Sequence, residues 1–164
     1  MLIALLFYNI LFASQIILMK PQDFVQQTTV IDSIGDYVSE KVGLIVVDTI
    51  TGLYREKLGD DDKSTFTLNR ELNRQMACLA QITKTQRLAC LIVSQVRSVV
   101  IEAQELVQPV AKRVLKFWAD AIITLKPTAK PQVINATVEL RKIAKPTKAI
   151  FLKIEERGLQ DCKG

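Results

Sequence analysis

Histidine is absent from the 164-residue chain, which removes the usual general base and the commonest transition-metal ligand and so weakens any Ser-His-Asp, Cys-His or zinc-hydrolase reading. Cysteine is sparse, at Cys78, Cys90 and Cys162, with no CxxC spacing. Neither a disulfide framework nor a structural zinc site is therefore expected, and a reducing, cytoplasmic compartment fits. Hydrolytic chemistry, if the chain has any, must run on carboxylates or on a bound metal. The sequence shows no internal repeat and no low-complexity linker. With 49% hydrophobic residues, residues 1–164 suit a single globular domain.

The one long apolar stretch, Leu2 to Met19, must be tested as a membrane span or signal peptide before the fold is considered. Asn9, Ser14 and Gln15 interrupt it, no basic residues precede it and no small-residue cleavage site follows. It reads as a buried helix near Ile3 to Leu11 and a buried strand at Ile16 to Met19, with no membrane association expected.

The formal charge is +5, and its distribution says more than its total. Between Lys112 and Lys148 there are nine basic side chains against Asp120 and Glu139, a local balance of nine minus two, or +7. Clustered positive charge favours a polyanion such as nucleic acid through counterion release. A solvated basic face is the alternative that the charge alone leaves open.

Segments of helical and strand length alternate, which points to an α/β layered fold. Pro21 and Asp23 open a helix over Phe24 to Val38, whose apolar positions Val25, Thr29, Ile31 and Ile34 only roughly follow helical spacing. After Gly43, the run Leu44-Ile45-Val46-Val47-Asp48 reads as a central parallel strand buried on both faces, with its carboxylate at the ligand-binding edge of the sheet. Tyr54 to Lys63, with Gly59-Asp60-Asp61-Asp62, reads as a loop. A long helix follows, capped by Asp62 or Ser64, with Leu68, Leu72, Met76, Leu79 and Ile82 on its apolar face and Arg70, Glu71, Arg74 and Gln75 on the other. Leu88 to Val93 is a second buried strand ending at Ser94-Gln95, and an irregular stretch runs on to Pro109. Trp118 to Leu125 reads as a third strand. Val133 to Leu140 and Ala149 to Ile154 form an antiparallel pair around Lys145-Pro146-Thr147.

Four apolar residues ending in aspartate make the pattern of a Walker B segment, whose carboxylate holds the water shell of Mg²⁺ at a nucleotide phosphate. Taken alone, Asp48 reads equally well as a loop-capping carboxylate. The flanks add specificity. Leu44 to Arg55 resembles the Walker B strand and exit loop of the RecA/RadA recombinase family. Leu68-Asn69-Arg70-Glu71-Leu72-Asn73-Arg74-Gln75 resembles the following helix of its archaeal RadB branch. Leu91-Ile92-Val93-Ser94-Gln95-Val96 is similar to the strand whose terminal glutamine senses the γ-phosphate. Leu115 to Asp120 resembles the segment after the second DNA-binding loop, and Phe151 to Asp161 the closing strand. These matches keep their order over residues 16–161.

The resemblance implies a partial RecA-like core, with a central, mostly parallel sheet flanked by helices and a C-terminal antiparallel strand pair. It implies ATP and Mg²⁺ as cofactors and DNA as a partner. Asp48, with Thr49 beside it, becomes the carboxylate that meets Mg²⁺ through water. Gln95 becomes the phosphate sensor, and Arg97, Lys112, Arg113 and Lys116 the residues that meet DNA phosphates. A strand-end amide that merely caps the sheet is the plainer reading of Gln95.

Departures from the family qualify this. The family's first strand, its phosphate loop ending in Gly-Lys-Ser/Thr, the helix after it and the strand bearing the catalytic glutamate have no counterpart here. ATP hydrolysis by this chain alone is therefore not expected, because phosphoryl transfer depends on those positioning groups. Ala111-Lys112 replaces the glycine pair of the second loop. The expected function is DNA repair and homologous recombination through contacts with DNA and with recombinase or repair proteins. Self-association through the open edge of the incomplete sheet is a further expectation. A fragment or mis-started chain of an intact DNA-dependent ATPase is the alternative.

Overall fold

The computed structural model describes residues 1–7, 16–58, 62–101, 104–109, 111–140 and 149–162. They form two compact units, Met1–Trp118 and Ala119–Gly164.

The first unit is built on a four-stranded sheet of order β2-β1-β3-β4, made from β1 (Leu2–Phe7), β2 (Ile16–Met19), β3 (Val42–Asp48) and β4 (Ala89–Ile92). The opening apolar residues are thus a strand and not the expected helix. An unbroken apolar run carries no period of its own, and pairing decides its conformation. Ile3 and Leu5 lie opposite Val47 and Ile45 on one side and Met19 and Ile17 on the other. The rest of the expected helix lies outside the described residues. β3 runs parallel to β4 but antiparallel to β1, and β1 runs antiparallel to β2, so only one of the three ladders in this mixed sheet is parallel.

Two helices cover one face of the sheet. In α1 (Phe24–Tyr37), Asp23 is the N-cap, and its carboxylate accepts from the Val25 and Gln26 amides at 2.8 Å. Its buried positions are Phe24, Gln27, Ile31 and Ile34, while Val25 faces solvent. Those spacings of three, four and three trace one helical stripe, with a glutamine in an apolar slot. α3 (Asp62–Gln86) buries Leu72, Gln75, Met76 and Leu79. Gln75 therefore belongs to the core and not to the outer face expected for it. α3 ends with Arg87 in the left-handed region at φ 54°, and the Leu88 amide reaches back to the Thr83 carbonyl at 3.2 Å, a Schellman closure.

Ile45 and Val47 of β3 are fully buried beneath these helices with Ile31, Ile34, Leu72 and Leu79. On the opposite face, Val46 is only half-buried, in a cross-strand row with Leu18 and Leu91, which are 62% and 49% exposed. Burial of β3 on both faces is thus not met among the described residues.

Three further expectations change. Overlapping the start of the loop expected over Tyr54 to Lys63, Gly52–Glu56 forms a short helix, α2, whose Tyr54 is buried edge-on to Phe24 with ring centroids 5.9 Å apart. The stretch expected to be irregular holds an antiparallel two-stranded sheet, β5 (Val96–Ile101) with β6 (Gln104–Pro109). Trp118 closes α4 (Lys112–Trp118), and the third strand begins later, as β7 (Ala121–Pro127). Ala111, Val114, Leu115 and Trp118 pack against the core, a helical spacing that claims the tryptophan for α4. The cap proposed at Asp62 or Ser64 lies outside the side chains described. No helix among the described residues is long and apolar enough to cross a membrane.

The second unit is an antiparallel sheet of order β10-β9-β8-β7, adding β8 (Val133–Leu140), β9 (Ile150–Glu155) and β10 (Gly158–Asp161). The expected pair is present as β8 and β9, in register at Asn135 and Phe151. It is extended on both sides. Gly158, at φ 113°, takes up the tight turn into β10. Lys145-Pro146-Thr147 lie outside the described residues.

Candidate functional site

The carboxyl ends of β3 and β4 lie side by side because the two strands are parallel, and their pairing continues beyond the strands themselves. The Val93 amide donates to the Val47 carbonyl at 2.9 Å, and the Ile50 amide to the Val93 carbonyl at 3.1 Å. Asp48 emerges there with an exposed side chain, joined to a half-buried Thr49 through a cis peptide. Among the described residues no ion pair engages the Asp48 carboxylate. The turn into α2 is tight, and a Cβ on Gly52 would come within 3.0 Å of Thr49 Oγ1.

Thr51, fully buried, joins the two strand ends. Its hydroxyl oxygen accepts from the Gln95 amide at 3.2 Å and lies 3.4 Å from Ser94 Oγ. Asp48, Thr49 and Gln95 are thereby brought to one edge. The Gln95 side chain is exposed at this edge.

Beneath the edge lies a polar network that sequence reasoning missed. Gln27 Nε2 donates to the Ile50 carbonyl at 3.0 Å and to Gln75 Oε1 at 2.7 Å. Gln75 Nε2 donates to Thr28 Oγ1 at 2.7 Å, and Thr28 Oγ1 lies 3.1 Å from Glu71 Oε1. Arg74 donates to both Glu71 and Asp32, and these hydrogen bonds, that to Asp32 foremost, hold its guanidinium still more firmly protonated. The signal was the α1 stripe itself, where a buried position falls on Gln27. On β4, burial pushes the Cys90 thiol up to about 12, which favours its protonated form.

The basic candidates stand on other elements. Lys112, Arg113 and Lys116 are exposed on the face of α4 that points away from α3. Trp118 anchors that helix by donating from Nε1 to Asn73 Oδ1 of α3 at 2.8 Å. Ala111, which opens it, has φ 53°, a left-handed conformation that a glycine would adopt without strain. Arg97 lies on β5, and its side chain is outside those described.

Among the described residues no three His, Cys, Asp or Glu side chains gather to hold a metal ion. A single exposed carboxylate at a strand end still fits Mg²⁺ met through water and carried in on a nucleotide.

No family model matches the chain. It is 30% identical over 145 residues to the DNA repair and recombination protein RadB of Methanococcus maripaludis, covering 88% of this chain and 63% of that protein. It is also 30% identical over 150 residues to the RadB of Thermococcus kodakarensis, covering 92% and 65%. A crystal structure of the RadB recombinase superposes with a TM-score of 0.69 at 28% identity, over 88% of this chain and 63% of that one. The chain thus spans just under two thirds of the length of these relatives. The parallel pairing of β3 with β4, helices on one face of their sheet, and similarity along nine-tenths of the chain make it similar to the RadB proteins and to their RecA-like fold.

Proposed function

We propose that this chain serves DNA repair and recombination by binding DNA and recombination proteins, with the β3–β4 edge facing a Mg²⁺–nucleotide. The observation that carries the reading is the Thr51 junction, which holds Gln95 beside Asp48 and Thr49. ATP bound there would supply a charge difference between its nucleotide states. Asp48 would hold water on Mg²⁺, Thr49 would flank it, and the Gln95 amide would meet a terminal phosphate. Gln95 is followed directly by β5, so a shift in its position passes without a linker into the segment bearing Arg97. Lys112, Arg113 and Lys116 would meet backbone phosphates as a sequence-independent face. Phosphate capture is not provided by these residues, and no hydrolytic step is assigned to them. Among the described residues β4 and β7 end their sheets, and their outer edges would offer backbone groups for pairing with a further chain or copy.

Backbone amide resonances of Thr49 and Gln95, followed while Mg²⁺–ATP is added, test the nucleotide role. Shifts at both that vanish in Asp48→Ala, with no phosphate released, are expected. Unmoved resonances at millimolar nucleotide would remove the nucleotide from the account and leave a DNA-only reading.

A further inference from the structure

The second unit has almost no core of its own. Ala136 is its one buried hydrophobic side chain among the described residues, whereas a sheet is held by burying one face against another layer. Residues directly opposite each other across an antiparallel ladder project from the same face. The register therefore gathers Ile123 and Leu125 of β7, Ile150, Leu152 and Ile154 of β9 and Leu159 of β10 on one face. Lys126, Glu139, Lys153 and Glu155 stand on the other. Among the described strand residues, Asp161 at a corner is the only charge on the apolar face.

Ile123, Leu125, Ile150, Ile154 and Leu159 are each between 47% and 61% exposed. At on the order of 100 Å² apiece, with half-buried neighbours between them, they make a patch of roughly 600 Å². That is the upper limit of what a monomer ordinarily shows, about 600 Å². Two such faces together reach about 1,200 Å², where specific and stable interfaces begin. An aliphatic sheet face suits a second sheet stacked about 10 Å away. Charge selects which sheet. A chain of net charge +5 repels its own copies, and a face almost free of charge is where two of them meet without that opposition. Lys126 and Lys153 then stay on the outer faces. We propose that the apolar face of the second unit packs against the same face of a second copy, giving a twofold dimer of stacked sheets. This contact is separate from the strand edges and does not depend on the nucleotide or DNA reading.

Sedimentation velocity of the full chain, over a concentration series up to about 100 μM, should show a dimer. Ile150→Lys sets a charge within the face and should weaken dimerisation about tenfold or more. Ile123→Lys, at the most exposed of these positions, should do the same, and an unchanged far-ultraviolet circular dichroism spectrum shows each variant folded. Phe151→Lys, one residue from Ile150 but on the opposite face, should leave the dimer as it is. A chain that is monomeric at every concentration would overturn the proposal. So would a dimer that both Ile150→Lys and Ile123→Lys leave intact, which would put the contact elsewhere, or one that Phe151→Lys weakens equally.

Discussion

Gln27 donates its side-chain amide to Gln75 Oε1 at 2.7 Å between α1 and α3, with both residues fully buried. The same nitrogen holds the Ile50 carbonyl at 3.0 Å, so the turn after Asp48 is fixed from below by a glutamine pair set in an otherwise apolar core. A buried amide is tolerated only when its hydrogen bonds are made. Among the described residues Gln27 Oε1 meets no donor, so the clamp seen here is made on its donor side.

Gln27→Met keeps the side-chain length and removes both donors, leaving the Ile50 carbonyl and Gln75 Oε1 unmet, at a cost of about 1–3 kcal/mol. Losing the unmet Oε1 offsets part of this. Urea unfolding measures it. Adding Gln75→Met should cost less than the sum of the two single changes, since the partners vanish together. Strict additivity would mean that the two amides act independently.

Ala111→Gly should stabilise the chain by about 0.5–1 kcal/mol, because only glycine takes up φ 53° without crowding its Cβ. Thermal unfolding gives the sign. A loss of stability would mean that the alanine methyl contributes more to the core beneath α4 than its backbone strain costs.

Burial raises the Cys90 thiol from its usual value near 9 to about 12. In the unfolded chain the thiol ionises near 9, while in the folded chain it keeps its proton. This contribution to stability is therefore complete below pH 9 and is lost as pH rises from there towards 12, by up to about 1.4 kcal/mol per pH unit. Cys90→Val should flatten that part of a denaturation-versus-pH curve. An unchanged slope would assign the alkaline loss to other groups.

Much of the first unit was legible in the sequence. The apolar stripe of α3, the Asp23 cap of α1 and the strand ending at Asp48 each carry a strong local period or a capping residue. The opening strand was not legible, because an unbroken apolar run suits helix and strand alike until Ile3 and Leu5 find Val47 and Ile45. Gln75 reads as solvent-facing by residue type, and only the helical stripes that Gln27 and Gln75 interrupt reveal that both are buried. At the site, Asp48 and Gln95 could be named from strand-end position and resemblance. The Thr51 junction between them depends on a long-range pairing that no local pattern encodes.

Arg74 is 47% exposed despite two carboxylate partners. Arg74→Ala should therefore cost no more than about 1 kcal/mol, and the loss should shrink in high salt. A larger, salt-independent loss in urea unfolding would mean that Glu71 also depends on Arg74 to hold Thr28 within the buried network.

The salt dependence of DNA affinity tests the central claim most directly. A plot of log affinity against log salt for duplex DNA should be steeply negative for the chain. It should be shallower by about two for Lys112→Ala with Arg113→Ala, since on the proposed reading each of these side chains would neutralise one phosphate. An unchanged slope in the double variant, or no measurable DNA binding at low salt, would contradict the account.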